Sequence, residues 1–144
     1  MFSGEFHHKI DAKGRVSVPA QFRTHGDGKY YVTYGPDGCL FVYDEQGFKA
    51  REAELNKLDE YNPTVRSLKR VFFSGPPLQD CDAVGRIKIP AQFASYAAIE
   101  KDVVMNGMAH YFEIWSRARW EQQRQQDISK YFENYREMTT RHDH

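Results

Sequence analysis

Apolar and polar residues alternate near the start of the chain. Phe6, His8 and Ile10 fall on one side of an extended strand, and His7, Lys9 and Asp11 on the other. Asp11-Ala12-Lys13-Gly14 then reads as a turn: an aspartate side chain accepts backbone N–H groups two residues on, and glycine takes the positive φ that reverses the chain. A second strand puts Val16 and Val18 on one face and Arg15 and Ser17 on the other. Pro19 cannot continue a central strand but suits the first position of a short helix reaching Phe22. Tyr30 to Tyr43, rich in aromatic and β-branched residues and broken by Gly35-Pro36-Asp37-Gly38, predicts a β-hairpin. Asp44 is a helix N-cap, and the helix after it reaches about Asp59 with Phe48, Leu55 and Leu58 on its apolar side. Asn62-Pro63 opens another helix carrying Val65, Leu68, Val71 and Phe72.

The pattern then starts again. Asp11 to Phe22 aligns with Asp82 to Phe93 at a constant spacing of 71; eight of twelve pairs are identical and two exchange Val for Ile. Phe2-Ser3-Gly4 matches Phe73-Ser74-Gly75 at the same spacing. Gly35, Val42, Tyr43 and Phe48 match Gly107, Ile114, Trp115 and Trp120 at a spacing of 72, so one loop has gained a residue. The second hairpin is expected from Val103 to Trp115, broken around Asn106-Gly107. Ser116 caps a helix from Arg117 to Arg136, with Trp120, Ile128, Tyr131 and Tyr135 as apolar members and fraying after Glu137. The chain is thus a tandem duplication. One module spans 1–70, with a core of about 5–47 followed by helices; the other spans 71–144, with a core of about 76–119 and a C-terminal helix. A lone module of about 70 residues buries too little apolar surface to be comfortably stable, so the halves must pack on each other or on other subunits.

Composition adds one difficulty. Twenty basic residues meet twenty acidic ones, so no global field advertises a nucleic-acid partner. Locally, the stretch from His7 to His25 holds Lys9, Lys13, Arg15 and Arg23 against the single acid Asp11, while Asp44, Glu45, Glu52, Glu54, Asp59 and Glu60 gather on the helical side. Cys39 and Cys81 form no CxxC pair, and no apolar run approaches the roughly 20 residues that span a bilayer. With no signal-peptide pattern at Met1–Phe6, a reduced, cytoplasmic protein without membrane contact is expected.

The two Asp-x-x-Gly-Arg-[Val/Ile]-x-[Val/Ile]-Pro motifs, one per half, and the Met-Phe-Ser-Gly start resemble the MraZ family of bacterial transcriptional regulators, duplicated relatives of the AbrB/SpoVT swapped-hairpin group. The resemblance covers the whole chain. It implies an α+β fold with a swapped-hairpin β-barrel core and peripheral helices, a ring-shaped homo-oligomer, and nucleoid association. It further implies binding to repeated promoter elements of a cell-division and cell-wall gene cluster, with repression the family expectation, and places the family's DNA-contacting arginines on Arg15 and Arg86. The copies differ at two points: Lys13 becomes Val84, and Ser17 becomes Lys88.

The residue types suit that role. Arginine is a rigid, charged fork able to bond O6 and N7 of guanine together, and a two-stranded β-ribbon fits the major groove of double-stranded DNA. Lys9, Lys13, Lys88, His7 and His8 would sit near phosphates, which position without specifying. Asp11, Gly14, Asp82 and Gly85 read as turn builders. Other readings stand beside these. Arg15 and Arg86 can be structural, bridging to Asp11 and Asp82 or across a subunit interface. Lys9 and Lys13 can be a solvated face, and the whole can be a ring-forming scaffold without specific DNA binding. Tyr30, Tyr31, Phe41, Phe112 and Trp115 can stack on single-stranded bases or form core. Adjacent histidines such as His7 and His8 point to opposite faces of a strand, so neither a metal site nor any cofactor is expected. No P-loop, nucleophile–base pair or carboxylate pair recurs in both halves, which argues against an enzyme.

Overall fold

The computed structural model describes residues 1–25 and 28–142. The expectations that involve the side chains of His25, His142 and His144 lie outside what is described. The first half supplies β1 (Glu5–Lys9), β2 (Arg15–Ser17), α1 (Ala20–His25), β3 (Lys29–Tyr34), β4 (Leu40–Asp44), α2 (Glu45–Asn56) and α3 (Pro63–Phe72). The second supplies β5 (Gln79–Asp80), β6 (Arg86–Lys88), α4 (Ala91–Tyr96), β7 (Asp102–Gly107), β8 (Phe112–Ser116) and α5 (Arg117–His142).

The halves are joined by exchanging strands. Six strands form one antiparallel sheet in the order β1-β7-β8-β4-β3-β5, and β2 pairs with β6 as a separate two-stranded ribbon. The lead strand of each half joins the hairpin of the other: β1 lies beside β7, and β5 beside β3. Exchanging each strand for its repeat mate leaves the order unchanged. The register locates the pseudo-twofold axis. It runs between the repeat mates Val16 and Ile87 in the ribbon and between Phe41 and Glu113 at the β4–β8 seam. The architecture is therefore an α+β, duplicated swapped-hairpin fold.

The ribbon is tied to the sheet by its apolar face. Val16, Val18, Ile87 and Ile89 are at most 2% exposed and pack with Phe22, Phe93, Leu40, Met105, Phe112 and Ile114. Phe22 and Phe93 are repeat mates on α1 and α4, one pressing in from each half. Truncating either to Ala removes an aromatic ring from a packed interior, a loss of about 3–5 kcal/mol. The aromatics Tyr30, Tyr31, Phe112 and Trp115 are buried and Phe41 is half-buried. They are core residues, unavailable for stacking on bases.

The caps form as the sequence indicates. The Asp44 side chain accepts from Gly47 N at 2.8 Å, the Asn62 side chain from Thr64 N at 2.9 Å, and Ser116 Oγ from Arg119 N at 3.3 Å. Some boundaries differ. Helix α2 stops at Asn56, and Leu58 beyond it is exposed. Pro90 is the N-cap of α4 rather than its first turn. Asn106-Gly107 does not break the second hairpin: both residues pair within β7, opposite Glu113 and Phe112, and the reversal comes after them. A Cβ on Gly107 would stand 2.5 Å from the backbone of Phe2 and Ser3, so the glycine is there to admit the N-terminal segment. Helix α5 does not fray after Glu137 but continues to His142; of its four expected apolar members only Trp120 is buried.

Candidate nucleic-acid interface

The outer face of the β2–β6 ribbon carries four polar side chains. Arg15 stands opposite Lys88 and Ser17 opposite Arg86 across the antiparallel pair, while Val16 and Ile87 point into the core. Arg15 and Arg86 are thus diagonal neighbours on one face, flanking the pseudo-twofold axis.

Each arginine is aimed by its own turn. Asp11 Oδ1 accepts from the backbone N–H groups of Lys13 and Arg15, both at 2.9 Å, and Asp82 Oδ1 from those of Val84 and Arg86 at 3.1 and 2.9 Å. The second carboxylate oxygen accepts from the arginine Nε: 2.9 Å for Arg15 to Asp11 and 2.8 Å for Arg86 to Asp82. Gly14 and Gly85 take φ of +80° and +85°, a region costly for residues with a Cβ, and each N–H returns to its aspartate carbonyl at 3.0 Å. The turns are also cross-tied, since Ile89 N donates to Gly14 O at 2.7 Å and Val18 N to Gly85 O at 2.9 Å. Arg86 Nη1 reaches Asp11 Oδ2 at 3.6 Å, linking the halves.

Asp11 and Asp82 are therefore both turn builders and ion partners. Backbone donation from Arg15, then its guanidinium and the Lys13 N–H, hold the Asp11 carboxyl below the ordinary aspartate range. Arg86 and Val84 do the same for Asp82. The salt-bridge reading of the arginines is realised, yet it does not bury them. Their side chains are 36% and 31% exposed, and both principal bonds use Nε; the Nη groups of Arg15 make no ion pair among the described residues, while Nη1 of Arg86 also leans on Asp11. An Nε bond fixes the direction of a guanidinium while leaving Nη donors for another acceptor.

The lysines differ in placement. Lys13, at the tip of the first turn, and Lys88, on the ribbon, are exposed. Gln79 clamps the backbone of Lys88 with two bonds of 2.9 and 3.0 Å. Lys9 is exposed too, but it lies on the edge strand β1 opposite Asp102 and not on the ribbon. His7 is exposed and bonded to Glu5 at 2.8 Å, while His8 is half-buried and burial pushes its pKa down. Neither histidine stands on the ribbon. One cation absent from the sequence-based set, Arg23 of α1, lies against the second turn; its only sequence signal was membership of the basic stretch. Burial pushes both cysteine thiols up, Cys39 with help from nearby Glu113, so neither is an activated nucleophile. No helix among the described residues is long and apolar enough to cross a membrane.

The geometry is that of a duplicated α+β swapped-hairpin protein with two turn-anchored arginines on a two-stranded ribbon. The MraZ protein family model matches residues 1–71 and again 72–142. The chain is 44% identical over 122 residues to a "Transcriptional regulator MraZ" of Moorella thermoacetica, 85% of each chain. It is 41% identical over 137 residues to a protein of the same name from Natranaerobius thermophilus, 95% of each chain, and 43% identical over 122 residues to that of Finegoldia magna, again 85% of each. The chain belongs to the MraZ family. It is a transcriptional regulator and not an enzyme.

Proposed function

We propose that this protein binds double-stranded DNA sequence-specifically, with Arg15 and Arg86 as the base-reading residues and Lys13 and Lys88 as phosphate neighbours. Lys9, further off on β1, would contribute to steering. The observation that carries the reading is the pair of part-exposed guanidinium groups held by Nε on rigid turns, side by side on one face of a two-stranded ribbon, an element the major groove accepts. Each guanine contacted by a bidentate fork contributes about 1–3 kcal/mol of discrimination.

Two arginines per chain bind weakly alone, so the reading includes a ring-shaped homo-oligomer that repeats the neutral subunit's local cationic stripe in register. Exposed apolar side chains on the helices, among them Leu68, Val71, Ile128 and Phe132, leave surface for neighbouring copies. Each repeat unit, 1–70 and 71–144, supplies one reading turn. The protein acts in the cytoplasm at the nucleoid, as a repressor of a cell-division and cell-wall gene cluster that includes its own gene. Footprinting of the DNA upstream of its own gene tests this. Protection should fall on short repeated G-containing elements about 10 base pairs apart, and inserting half a turn between them should weaken binding sharply. Uniform protection, or indifference to the insertion, would count against the ring in register.

A further inference from the structure

The repeat is unequal where its turns meet solvent. The first turn carries Lys13 beside Arg15; the second carries Val84, 64% exposed, beside Arg86. On sequence alone the second turn is one cation short. The structure makes up the difference from the other half. The guanidinium of Arg23, from α1, lies directly over Gly85, so close that a Cβ there would overlap it. Gly85 is buried under this cover, while Gly14 is only half-buried and a Cβ on it would meet just the Ile89 backbone. The repeat mate of Arg23 is Ala94, so no such cation crosses to the first turn. Arg23 is itself exposed, and among the described residues its side chain has no hydrogen bond or ion pair, only the Cys81 thiol within electrostatic reach. Nearby Asp82 is already engaged by Arg86.

We infer that Arg23 is a phosphate-binding residue of the second turn, supplied across the pseudo-twofold axis in place of the lysine that Val84 lacks. Each turn then presents one aspartate-anchored arginine and one further cation: Arg15 with Lys13, and Arg86 with Arg23. A guanidinium that has no carboxylate partner among the described residues, held over a glycine at the rim of a recognition ribbon, suits a DNA phosphate oxygen, which it would contact without reading sequence. This inference rests on the DNA-binding reading above.

The test is the salt dependence of binding to a random-sequence duplex and to the upstream duplex, for wild type, Arg23→Ala, Arg23→Lys and Arg23→Ala with Val84→Lys. Giving up one phosphate interaction makes the slope of log K against log salt shallower by about 0.9. Arg23→Ala should show that change per engaged subunit, with affinity for both duplexes falling by the same factor. Arg23→Lys should keep the slope, and Val84→Lys should restore it by returning the cation at the position of the first turn's lysine. An unchanged slope in Arg23→Ala while the wild type binds normally overturns the inference alone. So does a slope that Arg23→Lys also reduces, or that Val84→Lys does not recover, since both mark Arg23 as a mere cover for Gly85. If the wild type itself shows no salt-dependent binding, the DNA-binding reading falls, and the inference with it.

Discussion

Arg15 and Arg86 owe their direction to two aspartates that the sequence marks only as turn formers. The dual role follows from geometry: one carboxylate oxygen gathers turn amides, and the other faces the side chain four residues on. Because an Arg fork and a Lys ammonium carry equal charge, Arg15→Lys separates reading from attraction. It should leave affinity for random duplex and its salt slope unchanged, and cut the preference for upstream DNA by about tenfold, as competition binding will measure. The aspartates give a second expectation. Their folded pKa values lie below the ordinary 3.8, so their contribution is fully present above that pH and is lost only as pH falls through the lower folded values. The Arg15 and Arg86 amide resonances, whose N–H groups donate to these carboxylates, should therefore titrate with midpoints under 3.8; a midpoint at or above the ordinary value would contradict the anchoring described.

At the scale of elements, most of the fold was legible because alternation, caps and turn chemistry agree in both halves. The first ribbon strand was readable from Val16 and Val18 against Arg15 and Ser17, and the caps from Asp44, Asn62 and Ser116. The failures have physical causes. Asn-Gly is a strong hairpin signal in isolation, but Gly107 serves a close backbone approach that depends on Phe2, more than 100 residues away. That makes Gly107→Ala informative: the added methyl must displace backbone, so stability should fall by about 1–3 kcal/mol. This would appear as a lower denaturant midpoint at unchanged slope. An unaffected midpoint would mean that the N-terminal segment does not dock there. Helix α5 outlasts its packing because good helix formers and pairs at i,i+4, such as Arg117–Glu121 and Gln123–Asp127, sustain it without a core. The placement of Arg23 against the second turn was illegible for a different reason. Its turn belongs to the other half, and a periodic pattern does not say which partner a swapped strand will find.

For the whole molecule, duplication within one chain has let the two halves diverge around a shared axis. On the proposed reading, neutral net charge is compatible with DNA binding because the contacting cations are gathered at two turns of one ribbon, which rests on apolar packing beneath it. Its outward face, not the global field, carries the account. The most direct measurement compares dissociation constants for the upstream duplex and a scrambled duplex of equal length, at one fixed salt concentration. Wild type is set against the Arg15→Ala, Arg86→Ala double variant, with oligomer size followed by light scattering. The wild type should prefer the upstream duplex by about 10³-fold or more, and the double variant should lose nearly all of that preference at unchanged size and melting temperature. A double variant of native size that keeps the wild-type preference would contradict the assignment of the ribbon arginines as the readers.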